Sequence, residues 1–168
     1  MLEEILRKKK EEIIRRWKDR LIESYPEDTK KFLRREKDQF ANPVGHILNK
    51  GIESLFNGFL EGDEEKISRA LDEIIKVRAV QDFTPSSAVY FVLELKEVIE
   101  EVVGDLERFS KDERKVLDSK IISLLLQAFD TYEQCRYRLY ELRVNEIKNH
   151  VSGLLRMANL VYEIPETK

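Results

Sequence analysis

Apolar residues recur every three or four positions along most of the chain, and no stretch alternates with a period of two. A repeat of this period indicates helices, whereas strands would alternate. Residues that begin or end helices interrupt the repeat at Tyr25-Pro26, Asn42-Pro43, Gly62, Thr84-Pro85 and Gly104. We therefore predict an all-α protein with five substantial helices (2–24, 44–60, 64–80, 84–103 and one from 111) and a short helix (28–38).

The first and second helices carry specific expectations about burial. Residues 7–12 are all charged, so we expect the start of the first helix to project from the core. In the short helix, Phe32 and Leu33 are the apolar pair that we expect to face inward.

The last helix is the most informative element because of its length. Residues 111–152 contain no glycine and no proline, and Ser110 followed by Glu113 forms a capping box. A helix over about 111–161 is predicted. Its glycine-free and proline-free part alone would span roughly 60 Å at about 1.5 Å per residue. A compact domain of this size is only about 40 Å across, so one globule cannot bury such a helix if it is straight.

Two apolar stripes follow each other along this helix. The first comprises Leu117, Ile121, Leu124, Ala128, Tyr132, Cys135, Leu139 and Leu142. The second comprises Tyr140, Val144, Ile147, Val151, Leu154, Ala158 and Val161, with the alternating spacing of a helix seam. The helix could bend near residues 133–137 and fold back on the core, or stay straight and give the second stripe to a partner subunit. We favour a homodimer whose seam is formed by Tyr140, Val144, Ile147, Val151 and Leu154.

Composition narrows the class of protein. A chain of 168 residues suits a single domain over 1–168, and a net charge of −3 gives no support to nucleic-acid binding. The single Cys135 excludes an internal disulfide and a multi-cysteine metal site. No apolar run reaches the ~18 residues of a membrane span, and the charged start lacks the features of a secretory signal. We expect a cytoplasmic protein.

Candidate chemistry is sparse. His46 and His150 are the only histidines, and neither has a ligand-type neighbour at metal-binding spacing. No nucleophile–base arrangement is recognisable, so we predict no catalytic, metal or cofactor residues and no enzyme activity. A haem or small-molecule carrier that uses a histidine stays an alternative. Gly51, Gly58 and Gly62 predict either a close helix crossing or a small cavity beside Phe56 and Phe59.

Two segments resemble a known family. They are YPEDTKKFLRREKDQFANPVG (25–45) and IIKVRAVQDFTPSSAVYF (74–91), and they are similar to the N-terminal domains of RsbR/RsbRD-type proteins, the RsbT co-antagonists. The resemblance implies a globin-like helical sensor module without haem, which dimerises through its last helices and is usually joined to an output domain. Because the chain stops at Lys168, we expect a free-standing member. An alternative is an adaptor or accessory protein of an anaerobic redox complex.

The matching segments place polar residues at two corners of the chain. They are Arg34, Arg35, Asp38, Asn42, Pro43, Gly45, His46, Arg78, Gln81 and Asp82. They predict a buried polar network that ties the corners, or alternatively a ligand site between them. The overall hypothesis is a non-enzymatic sensory or regulatory domain. It relays a signal, or binds a still unidentified protein partner, through its long last helix.

Overall fold

The computed structural model describes residues 1–159, and within them the protein consists of helices and connecting turns without a strand. The helices are α1 (Leu2–Lys8), α2 (Lys10–Glu23), α3 (Glu27–Arg35), α4 (Pro43–Glu61), α5 (Glu64–Val80), α6 (Pro85–Val89), α7 (Phe91–Val103) and α8 (Lys111–Met157), with a 3-10 turn at Leu106–Arg108. The prediction of an all-α fold with a long C-terminal helix is confirmed. Among the described helices, none has both the length and the apolar character needed to cross a bilayer.

The predicted start and stop signals act as expected at most helix ends. The side chains of Asn42, Asp63 and Thr84 accept backbone N–H groups in the first turns of α4, α5 and α6. Ser110 and Glu113 form the reciprocal capping box of α8. Gly62 ends α4 in the left-handed region, with φ of 69°, where glycine carries no steric penalty.

One continuous cluster of apolar side chains forms the core. It lies between α2, α4, α5, α7 and the first half of α8, with α4 against α5, α5 against α8 and α2 against α7 as the main contacts. Trp17 is fully buried at its centre, and its indole Nε1 donates to the carbonyl of Phe91 at 2.7 Å. The largest side chain in the core therefore has its one polar atom satisfied.

The start of the chain differs from the expectation. The predicted first helix is divided at Lys9, and the shorter piece α1 packs on α4 and α7 instead of projecting. Leu2 and Leu6 are buried, while Arg7 donates to the carbonyl of Leu60 at 3.1 Å. The short α1 thus buries its apolar face against the core, while its charged residues are exposed.

Two smaller expectations also need correction. Phe32 is 49% exposed, so Leu33 alone buries the apolar face of the short α3. The predicted helix from Thr84 to Val103 is interrupted at Tyr90, which separates α6 from α7. Tyr90 keeps helical backbone angles and its carbonyl accepts from Leu93 and Glu94, so the interruption is slight.

The glycines of α4 form the predicted close crossing. A Cβ at Gly51 would lie 2.6 Å from Cγ1 of Ile74, and one at Gly58 would lie 2.9 Å from Cγ1 of Ile67. Phe56 and Phe59 are buried and stacked, with ring centroids 6.0 Å apart. The glycines therefore serve the packing of α4 on α5.

Gly58→Ala tests this crossing. The added methyl would meet the Ile67 amide nitrogen at 3.2 Å and the Asp63 carbonyl at 3.3 Å, and backbone atoms cannot move aside as a side chain can. We expect a net loss of about 1–2 kcal/mol in the free energy of unfolding, because overpacking outweighs the gain in helix propensity. Urea unfolding measures it. Gly153→Ala is the control, since nothing lies within 4 Å of that Cβ. A Gly58→Ala protein as stable as the wild type would contradict the close crossing.

Glu113 joins the start of α8 to the start of the chain. Its Oε1 accepts from the Leu2 amide at 2.9 Å, and its Oε2 accepts from the Ser110 amide at 3.1 Å. The hydrogen bond from Leu2, the amino terminus and Ser110 lower the pKa of this carboxyl from 4.5 to about 2. The carboxylate therefore stabilises the fold only while it is ionised.

This linkage predicts a pH dependence. The folded pKa lies below the unfolded value, so the stabilisation by Glu113 is present above pH 4.5 and is lost as the pH falls toward 2. In urea unfolding at several pH values, the gap between the wild type and Glu113→Gln should shrink across this window. Asp112→Asn, one residue earlier, is the control and should keep the wild-type profile. A gap that stays constant from pH 7 to pH 2 would refute the linkage.

Candidate functional site

The helix α8 is unbroken from Lys111 to Met157, and its first apolar stripe is buried only in the first half. Leu117, Ile121, Leu124, Ala128, Tyr132 and Cys135 lie in the core, Leu139 is half-buried and Leu142 is exposed. Every described residue after Leu139 is exposed. The helix therefore does not bend back on the core, and the alternative with a continuous helix is the one observed. Val161 of the second stripe lies outside the described residues.

The second stripe is longer than the sequence pattern suggested. Tyr140, Val144, Ile147, Val151 and Leu154 are exposed as predicted, and Ile122, Leu126, Phe129 and Tyr137 are exposed on the same side of α8. We call these nine residues the outer stripe; each is between 46% and 63% exposed. Leu126 and Tyr137 are eleven residues apart, which is about three helical turns, so both lie on the same side of α8. This spacing is the signal by which the first members could have been recognised.

Most of the outer stripe faces away from the body of the protein, whereas Phe129, Tyr137 and Tyr140 also line a cleft between α8 and residues 82–85. At 100° per residue, its mean direction lies about 130° around α8 from the buried stripe. It extends over 33 positions (122–154), or about 50 Å. The helix α8 therefore has one apolar face that packs in the core and a second apolar face in solvent. Isolated exposed apolar residues would not form such a continuous face.

The predicted polar corners form two separate hydrogen-bond networks. In the first, the side chain of buried Asn42 donates to the carbonyl of Glu36 at 3.0 Å and accepts from the Gly45 amide at 2.8 Å. A Cβ at Gly45 would overlap this side chain at 2.2 Å. Asn42 thus fixes the turn between α3 and α4, with Pro43 in the first helical position.

The other residues of the first corner lie at the surface. Arg34 pairs with Glu23, Arg35 lies beside an open surface hollow, and Asp38 accepts from the Phe40 amide at 2.9 Å within its turn. His46 is half-buried in the first turn of α4, and His150 is on the exposed part of α8. Arg34 thus joins α3 to α2, and these residues do not line one common cavity among those found in residues 1–159.

The second network surrounds Arg78, which is 1% exposed at the end of α5. Its Nε donates to the Ala88 carbonyl at 2.9 Å, and its Nη2 donates to the Ser87 carbonyl at 2.9 Å. Its Nη1 donates to the hydroxyl of Ser24 at 3.1 Å. One guanidinium thus holds the end of α2, the end of α5 and the whole of α6 together.

Aromatic rings complete the surroundings of this cation. The guanidinium carbon lies 4.1 Å from the centroid of the Phe83 ring, 5.5 Å from that of Tyr25 and 5.8 Å from that of Phe91. Such rings attract a cation that has lost its water. Burial lowers the pKa of Arg78 and raises the pKa of Tyr25, whose hydroxyl donates to Gln81 at 2.9 Å.

A cleft of about 490 Å³ opens beside Arg78, and we call it the Arg78 cleft. Its lining combines hydroxyls, acids and aromatic rings: Ser24, Asp82, Phe83, Thr84, Ser86, Ser87, Tyr90, Phe91 and Glu94. Burial raises the pKa of the Glu94 carboxyl, which is half-buried on α7. The cleft is the polar, concave site of the second corner.

The corner 82–84 lies between this cleft and α8. Asp82, Phe83 and Thr84 line the Arg78 cleft on one side and a second cleft against α8 on the other. The hydroxyl of Tyr132 donates to the Phe83 carbonyl at 2.5 Å. Arg136 donates to the Ala79 carbonyl at 3.2 Å and pairs with Asp82 at 3.4 Å. The corner is thus bonded directly to α8, a connection that sequence reasoning missed because it had given Tyr132 only a place in the core and Arg136 no role.

Cys135 lies in the buried stripe as predicted. Its thiol is free, and burial raises its pKa. A neutral buried thiol behaves as a small apolar group.

Comparisons with known proteins yield a family match and a distant relative. The model of the family described as the RsbT co-antagonist protein rsbRD N-terminal domain matches residues 11–147. An uncharacterized protein of Archaeoglobus fulgidus is 25% identical over 144 residues, which cover 82% of this chain and 83% of the relative. No solved structure matches the chain at a significant level. The family match runs from α2 to Ile147 of α8 and includes the Arg78 network.

Proposed function

The chain belongs to the RsbT co-antagonist protein rsbRD N-terminal domain family, a family of regulatory domains in stress signalling, and from this premise we propose that it is a homodimeric, non-enzymatic sensor. The resemblance predicted from segments 25–45 and 74–91 is confirmed. In our proposal the body receives a signal and α8 passes it to a second copy and to a protein partner. We propose further that the chain is a single, globin-like domain that works in the cytoplasm.

The outer stripe of α8 is the observation that carries this proposal. Its apolar side chains face solvent along about 50 Å, and a second copy of the same surface would cover them. Because the part of the stripe after Leu139 extends beyond the body, two copies can meet along the end of α8 without a clash between their bodies. A symmetric dimer requires only this one self-complementary surface.

The residue types in the tail suit a two-stranded pair, and we propose that its two helices run parallel. In heptad terms Val144 and Val151 occupy the a positions, and Ile147 and Leu154 occupy the d positions. In a parallel coiled coil, β-branched residues at a with leucine at d favour two strands. Val144, Val151 and Leu154 follow this pattern, and Ile147 departs from it. In a parallel pair the two tails start from the same end, so a change at both bodies would reach them together.

Cysteine cross-linking tests the parallel arrangement. In a Cys135→Ser background, Ile147→Cys places a thiol at the seam, where it faces its own copy in a parallel, in-register dimer. We expect a covalent dimer on oxidation at micromolar protein concentration. Asn149→Cys, two residues later and turned away from the stripe, is the control and should stay monomeric on a denaturing gel. Equal cross-linking at both positions, or none at position 147, would contradict the proposed seam.

A further inference from the structure

The Arg78 cleft contains two opposite charges that do not pair with each other. Within residues 1–159, no carboxylate oxygen lies within ion-pair distance of the Arg78 guanidinium, and the three acceptors of its hydrogen bonds are all uncharged. Glu94 lines the same cleft, and it too is without an ion pair in that range. A buried cation and a half-buried carboxylate across one cavity are costly unless something joins them.

Arg78 has donors to spare. A guanidinium carries five N–H groups, and the contacts to Ala88, Ser87 and Ser24 use three of them. The remaining two belong to the two terminal nitrogens, one on each. A pair of neighbouring N–H groups matches the two oxygens of a carboxylate, which is the strongest common contact of arginine.

The rest of the cleft suits the other end of a small zwitterion. Glu94 supplies a carboxylate for an ammonium group, and burial raises its pKa although the charges of Arg20 and Arg78 act in the opposite direction. Tyr90 and Phe91 add apolar surface to the lining. A cleft of about 490 Å³ has room for a molecule of this size.

We propose that the Arg78 cleft binds a small zwitterion of the free α-amino acid class, with its carboxylate on Arg78, its ammonium on Glu94 and an apolar side chain against Tyr90 and Phe91. The role of this ligand as the input signal of the sensor rests on the proposed function. Its binding to the Arg78 cleft does not depend on that function.

Binding also connects to α8. Arg78 is 1% exposed and the Phe83 ring lies against it, so a carboxylate that engages the guanidinium displaces Phe83 and its corner. The Phe83 carbonyl accepts from Tyr132, and Asp82 pairs with Arg136. Occupation of the cleft therefore acts on the part of α8 that precedes the exposed tail.

Calorimetric titration of the full chain tests the ligand class. The free L-amino acids are added one at a time. The best of them is then compared with its decarboxylated amine and its deaminated acid, for example phenylalanine with phenethylamine and 3-phenylpropionate. We expect the zwitterion to bind at least tenfold more tightly than either analogue. The proposal is overturned if no amino acid binds at millimolar concentration, or if the acid binds as tightly as the zwitterion.

Variants separate the two ends of the ligand. Glu94→Gln is expected to weaken amino-acid binding at least tenfold while binding of the deaminated acid does not weaken. Glu100→Gln, on the same helix and outside the cleft, is the matched control and should bind as the wild type does. Equal affinities for the amino acid in Glu94→Gln and Glu100→Gln would reject the role of Glu94.

Two further measurements distinguish this inference from the proposed function. Titration of the seam variant Ile147→Asp/Val151→Asp shows whether amino-acid binding survives without a dimer, as we expect. If the wild type is a dimer but binds no amino acid, the ligand site is refuted and the proposed function stands. Hydrogen exchange reports the connection to α8. Because the ligand displaces the corner to which Tyr132 and Arg136 are bonded, it should speed exchange in 129–140 of the wild type but not of Tyr132→Phe. Unchanged exchange in the wild type would refute the connection.

Discussion

Replacing Ile147 and Val151 with aspartate is expected to convert the protein from a dimer to a monomer. Both side chains are exposed on the tail of α8, and in the proposed dimer each would lose its water against the second copy. Burial of such a side chain contributes about 2 kcal/mol, and an aspartate in its place adds an unpaired charge. With two sites in each of two chains, we expect the dissociation constant to rise at least about 1,000-fold, or about 4 kcal/mol.

Light scattering during gel filtration measures this effect directly. The wild type should show twice the chain mass of 19.9 kDa at micromolar concentration, and the variant should show the single-chain mass. Leu142→Asp is the matched control, because Leu142 is equally exposed on α8 but lies on the side away from the outer stripe. If the double variant keeps the dimer mass, the tail of α8 is not part of the interface. If Leu142→Asp also becomes a monomer, the effect is not specific to the outer stripe.

Arg78→Ala is expected to reduce the free energy of unfolding by about 3–5 kcal/mol. The change leaves the carbonyls of Ser87 and Ala88 without their donor and opens a cavity beneath the Phe83 ring. Unsatisfied buried acceptors cost about 1–3 kcal/mol each, and the lost packing adds to this. For a chain of this size we expect the thermal midpoint to fall by about 10 °C or more.

Thermal and urea unfolding followed by circular dichroism measure this loss. Lys76→Ala, two residues earlier on α5, removes an exposed cation that pairs with Asp72 and should change stability by less than about 1 kcal/mol. Arg78→Lys should recover only part of the loss, because an ammonium cannot reproduce the planar set of donors that three acceptors require. An Arg78→Ala protein as stable as the Lys76→Ala control would show that the network does not hold the corner together.

Local signals in the sequence predicted most helix ends. Asp63 and Gly62 placed the start of α5 and the end of α4, and Ser110 with Glu113 placed the start of α8. These devices act over three or four residues, so the sequence contains all that they need. The division at Lys9 has no such signal. It arises because α1 turns to bury Leu2 and Leu6 against distant helices, and that contact is not encoded locally.

The candidate site was predicted only in part, for a related reason. Asn42 and Arg78 were recognised as polar residues at helix corners, but only the fold shows that they belong to two networks. The burial of Arg78 could not be predicted from the hydrophobic pattern, because arginine is usually exposed and the pattern assigns it to the surface. Likewise, apolar spacing could have placed Ile122, Leu126 and Phe129 on the side of the outer stripe. It could not tell that this side faces solvent, because residues of a core and of an interface are both apolar.

The isolation of the tail from its own body has a thermodynamic consequence. Residues 141–157 form fewer than five turns of helix with no contact to the core, and helices of this length are marginal in water by themselves. In the proposed dimer, contacts with the second chain stabilise this segment as a helix. Dimerisation and helix formation in residues 141–157 therefore become one equilibrium. Ellipticity per residue would then rise with protein concentration, and the amount of protein in the cell would set how much of this segment is folded at any moment.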